Sequence, residues 1–394
     1  MEAFFSDRIS SVKPSFIREI LKVANDPQMI SFAGGLPNKD FFPVEAINQA
    51  CQTVLMRDGG DALQYAATEG YLPLRQFIAQ RYLQKNGLVV RPEQIIITNG
   101  SQQALDLIGK VLLNEGDEVL VEDPSYLGAL QAFSVYKTGF RAIRLNEDGL
   151  DLQQLAEATD DGQARVLYTI PNFQNPSGIS YSEANRHGLA ELVRSRNLLL
   201  VEDNPYGDLR FTGENKKLIA SLVPENTVLL GSFSKTVVPA FRLGWMVLPE
   251  WLLSKVVVAK QAADLHTNSF VQRVLCEYLQ QNDLDAHVAR ICEVYGRQRA
   301  AMIRALQNYF PADVHYTQPE GGMFLWLTLP EQVSAMALFN EAIKDNVCFV
   351  PGHPFYTDRD DSHTLRLSFS CVDEATIDVG IRRLADALNR LSGV

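Results

Sequence analysis

Between about residues 95 and 250, short apolar segments rich in β-branched residues alternate with segments of helical periodicity. The apolar segments are hydrophobic throughout, as in strands that are buried on both faces of a mainly parallel sheet. Repeated strand–helix alternation predicts an α/β fold in which helices cover both faces of the sheet and give three layers. The predicted strands are residues 95–98, 119–122, 166–170, 198–202, 228–231 and 243–248, and a predicted helix covers residues 101–113.

The pattern changes beyond about residue 284, where a long helical stretch is followed by shorter elements. We predict strands at 321–327, 348–350 and 364–370, a helix at 334–345 and a final amphipathic helix. A chain of 394 residues has room for a second, smaller α+β domain. The expected division is a large domain of residues 46–290 and a discontinuous small domain of residues 1–45 and 291–394.

The sequence carries 36 lysine and arginine residues against 47 aspartate and glutamate residues, for a net charge of −11. This balance argues against nucleic acid as a partner, because nonspecific binding requires cations that neutralise phosphates. There is no run of about 18 apolar residues and no signal-peptide pattern at the N-terminus. Five scattered cysteines and the lack of an H-E-x-x-H motif predict no metal site. We therefore expect a cytoplasmic protein that binds neither a membrane nor nucleic acid.

Polar and reactive residues follow five of the predicted strands directly. Ligands of open α/β sheets bind outside the carboxyl ends of the strands, so these segments are expected to surround one ligand. The sequence has neither G-x-G-x-x-G nor G-x-x-x-x-G-K-[ST], which leaves dinucleotide and P-loop sites without their motifs. The five segments are residues 99–103, 123–126, 171–176, 203–206 and 232–235.

Two of these segments, together with the nearby Arg242, offer groups for a phosphate and an aldehyde. Ser101 lies at the start of a predicted helix, where free N–H groups and the helix dipole favour an anion. Ser232, Ser234 and Arg242 add hydroxyl and guanidinium donors, which suit a dianion. Lys235 can offer its amine to an aldehyde once neighbouring cations or burial lower the pKa of that amine.

The other segments offer groups for an aromatic heterocycle. Asp203 could hold a proton on a ring nitrogen, while Tyr206 and Asn175 could hydrogen-bond a ring oxygen. Tyr126 could stack on the ring. A phosphate, an aldehyde, a basic ring nitrogen and a phenolic oxygen together describe pyridoxal 5′-phosphate (PLP).

With these residues in place, the sequence resembles the fold type I PLP-dependent aminotransferases of class I/II, in particular the 2-aminoadipate/kynurenine aminotransferase-like group. The resemblance spans nearly the whole chain and rests on ordered motifs at matching intervals. These motifs are S-F-A-G-G-L-P (31–37), Q-Y (64–65), T-E-G-Y (68–71), K-Q (260–261), D-L-H-T (264–267) and T-L-R-L-S (364–368).

The resemblance implies transamination of an L-amino acid with 2-oxoglutarate, with substrates among 2-aminoadipate, glutamate, aromatic and aliphatic amino acids and a broad specificity. It implies that Lys235 binds PLP covalently and then moves the proton between the substrate Cα and the cofactor C4′. Asp203 would keep the pyridinium nitrogen protonated, so that the ring accepts electrons. Asn175 and Tyr206 would contact the ring O3′, and Tyr126 would stack on the ring.

The same resemblance assigns the anionic ends of the cofactor and the substrate. Arg366 would bind the substrate α-carboxylate with help from Asn175, near Gly35. Tyr65 matches a residue that is lent to the phosphate of the neighbouring subunit, which implies a homodimer with shared active sites. The phosphate residues would be Ser101, Gln102, Ser232, Ser234 and Arg242.

Two further observations come from the residues themselves. Apolar and polar residues alternate in 365–369, which places Arg366 and Ser368 on the face opposite the core. Residues 14–22 read as a helix start whose more polar side carries Arg18. In the aminoadipate-type enzymes a matching arginine pairs with an acidic substrate side chain, whereas the simpler interpretation of Arg18 is a solvated surface helix.

Two alternative functions remain open on the same fold. A PLP-dependent lyase or decarboxylase is one of them, because a fold does not fix a reaction. The other is a PLP-sensing regulatory domain fused to a DNA-binding segment. The sequence disfavours the regulator, since only about 30 residues precede the motif at 31–37 and the net charge is −11.

Overall fold

The computed structural model describes residues 4–10, 12, 20, 26–360 and 362–392. Its centre is an eight-stranded sheet in the order β2-β9-β8-β7-β6-β3-β4-β5. The strands from β8 through β7, β6 and β3 to β4 run parallel, whereas β9 is antiparallel to both of its neighbours. The bounds are β2 (Ile95–Asn99), β3 (Glu118–Asp123), β4 (Gly139–Asn146), β5 (Gly149–Leu150), β6 (Val166–Thr169), β7 (Leu199–Asp203), β8 (Thr227–Ser232) and β9 (Leu243–Val247).

The central strands send alternate side chains into two different hydrophobic cores. In β6, Val166 and Tyr168 lie in one core while Leu167 lies in the other. In β7, Val201 and Leu200 divide in the same way. Because both faces must be covered, the strands are uniformly apolar, and the predicted α/β fold with a mainly parallel sheet is confirmed.

Helices pack on the sheet and around a second group of strands. Several begin at a side chain that accepts a hydrogen bond from a first-turn N–H group, as at Ser182, Asn268 and Asp283. The helices are α1 (Asp7–Ser10), α2 (Val44–Asp58), α3 (Leu72–Asn86), α4 (Gly100–Leu112), α5 (Leu127–Ser134), α6 (Leu152–Ala158), α7 (Glu183–Ser195), α8 (Glu250–Asp264), α9 (Ser269–Gln281), α10 (Leu284–Tyr309), α11 (Ala335–Ala342) and α12 (Glu374–Ser392).

The C-terminal part of the chain forms an antiparallel sheet in the order β10-β11-β14-β13. The N-terminal strand β1 pairs in parallel with β12 and so links an N-terminal segment to the C-terminal part of the chain. The expected domain boundary at residue 290 falls inside the continuous helix α10, and the division into 46–290 and 1–45 with 291–394 stays a prediction. The bounds are β1 (Ile30–Ser31), β10 (His315–Tyr316), β11 (Phe324–Thr328), β12 (Val347–Cys348), β13 (Val350–Pro351) and β14 (Thr364–Ser368).

Strand β4 was not predicted from the sequence. It lies near the edge of the large sheet, where only the two-residue β5 follows it. Most of its residues are therefore partly or fully exposed, and it includes Arg141 and Arg144. The predicted segment at 348–350 is also different, because it divides into β12 and β13, which belong to two sheets. Among the described residues, none of the helices combines the length and apolarity needed to cross a bilayer.

Candidate active site

Asp203 ends the buried strand β7 and is only 2% exposed. The hydroxyl of Tyr168 donates to its Oδ2 over 2.9 Å, whereas Oδ1 is buried and has no hydrogen-bond partner within the described part of the chain. Burial raises the pKa of Asp203 to about 6, although the Tyr168 bond acts in the opposite direction. An unmade bond to a buried carboxylate oxygen is costly, so this oxygen fits a positively charged N–H donor such as a protonated ring nitrogen.

Lys235 lies three residues after the end of β8. Its Nζ donates to the carbonyl oxygen of Gly35 over 2.6 Å. Burial lowers the pKa of Lys235 to about 8, with a further lowering by the Arg366 guanidinium; Cys371 acts in the opposite direction, and Arg242 adds the smallest lowering. A larger share of this amine is therefore uncharged near neutral pH than for a surface lysine, which suits a nucleophile.

Arg366 lies on β14 and is 3% exposed. Its Nη1 donates to Oδ1 of Asn175 and its Nη2 to the carbonyl oxygen of Ala33, both over 2.7 Å. Its guanidinium carbon lies 4.2 Å from the ring centre of Phe324. In the residues that the structure describes, its Nε has no partner, and burial lowers its pKa to about 10. The site thus holds a buried guanidinium with an unused N–H group, which matches a carboxylate ligand.

The face of β14 that carries Arg366 and Ser368 is enclosed by another part of the chain. Arg366 and Ser368 lie on the face opposite Leu365 and Leu367, as the alternation predicts, and both are buried. The N-terminal segment covers them, since Ser368 N donates to the carbonyl oxygen of Phe32 over 2.8 Å. A second layer of chain therefore encloses the arginine.

Asn175, Tyr206 and Tyr126 lie near the guanidinium of Arg366. Asn175 Nδ2 is 3.5 Å from the Tyr206 hydroxyl, and the Tyr206 ring meets that of Phe324 edge to face at 5.8 Å. Tyr126 precedes α5, where a Cβ on Gly128 would come within 2.5 Å of its ring. Burial raises the pKa of both tyrosines, so both hydroxyls stay protonated and can donate at neutral pH.

The start of α4 provides an anion site of the expected kind. Asn99 occupies the N-cap position, but its side chain accepts no bond from the helix and is turned to Asp264 instead. The first-turn N–H groups therefore lack the side-chain acceptor that an N-cap asparagine usually supplies. Gly100 has φ +71°, and a Cβ there would lie 2.4 Å from Arg242 Nη2, so only glycine admits the guanidinium at this helix end.

The remaining predicted phosphate residues lie at this helix end or in the loop after β8, and they differ in solvent exposure. Ser232 Oγ accepts a hydrogen bond from Ser234 N over 3.0 Å, which fixes the loop before Lys235. Gln102 Nε2 donates to Gly128 O over 2.8 Å and is exposed, and Ser101 is half-buried. The structure thus brings the predicted cofactor residues together, and their donor set fits PLP.

Tyr65 and Arg18 stand apart from this group. Tyr65 is 78% exposed in the single chain and meets His266 edge to face at 5.9 Å. Arg18 lies outside the described residues. Sequence reasoning missed Tyr168, although a tyrosine in an aliphatic buried strand signals a hydroxyl that needs a partner. It also missed the carbonyl oxygens of Ala33 and Gly35, which carry no side-chain signal.

Comparisons with known proteins agree with this site. The family model for aminotransferase class I and II matches residues 27–384. The chain is 42% identical over 393 residues to aromatic-amino-acid aminotransferase 1 of Thermococcus litoralis, with 98% of this chain and 94% of that protein covered.

Two solved structures extend the comparison. The structure of kynurenine aminotransferase from Pyrococcus horikoshii in complex with PMP superposes with a TM-score of 0.95 at 41% identity, covering 99% of this chain and 98% of the other. The alpha-aminoadipate aminotransferase LysN of Thermus thermophilus, complexed with N-(5′-phosphopyridoxyl)-L-leucine, superposes with a TM-score of 0.92 at 41% identity over 100% and 99% of the two chains. Because these matches run along nearly the whole chain, it belongs to the class I and II aminotransferases and is a PLP-dependent enzyme of fold type I.

Proposed function

We propose that this enzyme transfers the amino group of an L-amino acid to 2-oxoglutarate and accepts acidic, aromatic and aliphatic amino acids. The observation that carries the proposal is that the Lys235 amine and the Arg366 guanidinium both donate hydrogen bonds to the same short segment. Lys235 Nζ and Arg366 Nη2 donate to the carbonyl oxygens of Gly35 and Ala33, which are two residues apart in the segment after β1. The amine and the guanidinium are thus held beside the same three residues, which suits an α-amino acid, whose reacting amine and carboxylate are attached to one carbon.

The chain's own residues have distinct tasks in this proposal. Lys235 would hold the cofactor through its amine and would take a proton from the substrate Cα. Asp203 holds the proton on the ring nitrogen, and Tyr206 and Asn175 orient the ring oxygen. Bound PLP supplies an electron-poor ring that stabilises negative charge on the substrate carbon. Arg366 grips the α-carboxylate, with Asn175 holding the guanidinium in place.

The phosphate would lie at the start of α4, among Ser101, Gln102, Ser232, Ser234 and Arg242. We also propose a homodimer in which Tyr65 reaches the phosphate of the neighbouring subunit. Its 78% exposure in the single chain supports this, since a large aromatic ring that packs on so little of its own chain is suited to an interface. The cytoplasmic location stays a prediction.

The proposed broad specificity is supported by the substrates named for the relatives. Their names cover aromatic amino acids, kynurenine and alpha-aminoadipate, and one was crystallised with a leucine derivative of the cofactor. Such a range requires a side-chain pocket that takes both acidic and apolar groups. Arg18 is the residue to which we assign the acidic side chains.

Half-reactions of the holoenzyme test the proposal. The absorbance of the lysine-bound cofactor should fall on addition of glutamate, 2-aminoadipate, kynurenine, phenylalanine or leucine, and it should return on addition of 2-oxoglutarate. A lyase or decarboxylase would instead release product while the cofactor absorbance stays constant. The Lys235→Ala variant serves as the control, because it should show neither response.

A further inference from the structure

Lys260 is fully buried near the end of α8, 25 residues after the lysine of the active site. Its Nζ donates to Asp264 Oδ2 over 2.9 Å, to Gln103 Oε1 over 3.1 Å and to Thr267 Oγ1 over 2.9 Å. The three N–H groups of the ammonium thus have three acceptors. The Lys260 side chain is fully buried whereas that of Asp264 is 20% exposed, so the pair is weak evidence for stability: burial of the ammonium costs free energy that its attraction to Asp264 only offsets. The pair therefore calls for another explanation.

One arm of this network ends at the phosphate site. Asp264 Oδ2 also accepts from Asn99 Nδ2 over 2.7 Å and from Gln103 Nε2 over 2.8 Å. Gln103 Oε1 in turn accepts from Asn99 N over 2.8 Å. The Asn99 side chain is thereby held away from the N-terminus of α4. The Lys260–Asp264 pair thus fixes the residue before Gly100 and keeps the first-turn N–H groups of α4 free for the phosphate.

The other arm ends at Tyr65. Leu265 has φ +63° and ψ −58°, and His266 N donates to Asp264 O over 2.7 Å, which together form a strained γ-turn. The turn presents His266 Nε2 to Ala66 N at 3.3 Å. Because Nε2 accepts there, the ring proton lies on Nδ1, which donates to Thr267 O over 3.0 Å. The same ring meets Tyr65 edge to face.

We propose that Lys260 is a positioning residue that aligns both halves of the phosphate site: Asn99 to Ser101 for its own subunit and Tyr65 for the neighbouring one. This inference rests on the proposed PLP site and on the proposed dimer. It explains why a strained turn at Leu265 lies directly after a partly buried ion pair, since strain of this kind persists only where the surroundings enforce it. The proposal also assigns a role to the motifs at 260–261 and 264–267, which contribute no residue to the cofactor or substrate contacts assigned above.

The test compares two forms of the cofactor. Full-length enzyme is loaded with PLP or with pyridoxal, which lacks the phosphate, and release of each on dilution is followed by absorbance. Lys260→Met should release PLP about 10-fold faster while pyridoxal release stays within about two-fold, since loss of a residue that orients a ligand-binding group typically costs at least about 10-fold in affinity. The matched control is Lys255→Met, which removes an exposed lysine from the same helix and should change neither rate.

Other variants separate positioning from folding. The double variant Lys260→Met with Asp264→Asn removes both charges but keeps a side-chain oxygen for the Asn99 amide, so it should recover thermal stability, yet it should still release PLP quickly. Equal acceleration for PLP and pyridoxal, or no acceleration, would overturn the inference. Tyr65→Phe should accelerate PLP release less in the Lys260→Met background than alone, and additive effects would remove the arm through Tyr65.

The proposed phosphate site is tested separately by Arg242→Ala. If this variant fails to accelerate PLP release over pyridoxal release, the phosphate assignment itself is wrong. If Arg242→Ala accelerates it and Lys260→Met does not, only the inference about Lys260 is wrong.

Discussion

Replacing Arg366 by lysine keeps the charge of the carboxylate site but removes its geometry. A guanidinium has five N–H groups. Two of them donate to Asn175 Oδ1 and Ala33 O, which leaves three for a ligand. An ammonium has three N–H groups, so the same two acceptors would leave one. A substrate carboxylate would then be held by one hydrogen bond instead of a bidentate pair.

The expected loss follows from this difference. One charge-assisted hydrogen bond contributes about 1.5–3 kcal/mol, which corresponds to roughly 10- to 150-fold in kcat/KM. Arg366→Lys should show this loss with any L-amino acid, whatever its side chain. The contact with the ring of Phe324 would also weaken, because an ammonium does not stack as a planar guanidinium does.

The assay compares each amino acid with the amine obtained by removing its carboxylate. Single-turnover absorbance changes give the half-reaction rate for both. Arg366→Lys should lose the preference for the amino acid and should react with the amine as the unmodified enzyme does. Arg304→Lys, at an exposed position, is the control for the substitution itself. Equal losses with amino acid and amine, at unchanged thermal stability, would refute the role of Arg366.

Four further predictions address the other residues of the site. Asp203→Asn should bind PLP but lose at least about 100-fold in rate, because an amide stabilises a pyridinium poorly; a rate near that of the unmodified enzyme would exclude this role. The rate of PLP uptake by the cofactor-free chain should rise about tenfold per pH unit and level off near pH 8, because only the uncharged Lys235 amine, whose pKa is lowered to about 8, can attack; a flat profile would contradict this. Light scattering should show a homodimer, and an active monomer would rule out the role of Tyr65. Arg18→Gln should lower kcat/KM for glutamate and 2-aminoadipate by roughly 10- to 150-fold while leucine and phenylalanine change only a few-fold; equal losses would indicate a purely structural Arg18.

Much of the fold could be predicted because the central strands are buried on both faces. The uniform hydrophobicity of β6 and β7 follows from that burial, and the polar residues at their ends follow from the way parallel strands share one edge. The pattern carries no strand direction, so it could not show that β9 runs antiparallel. It could not show β4 either, because a strand near an edge needs few apolar residues.

The candidate site was predictable where a residue type matches the chemistry. Asp203, Lys235 and Arg366 carry groups that a PLP enzyme needs, and the structure brings them together. The contact between Tyr168 and Asp203 depends on strand register, which the sequence leaves open. The positions of the two carbonyl acceptors, Ala33 O and Gly35 O, depend on how the N-terminal segment packs against the rest of the chain, which only the folded structure reveals.

The bond between Arg366 and Ala33 also has a consequence during synthesis. Its two residues are 333 positions apart, so the N-terminal segment leaves the ribosome long before its partner strand exists. At roughly 5–20 residues per second, the delay is roughly 17–67 s. During that time Phe32, which is fully buried in the finished protein, has no β14 to cover it. The carboxylate site is therefore among the last parts of the molecule to form, and the nascent chain must keep an apolar segment from aggregation until its final strands emerge.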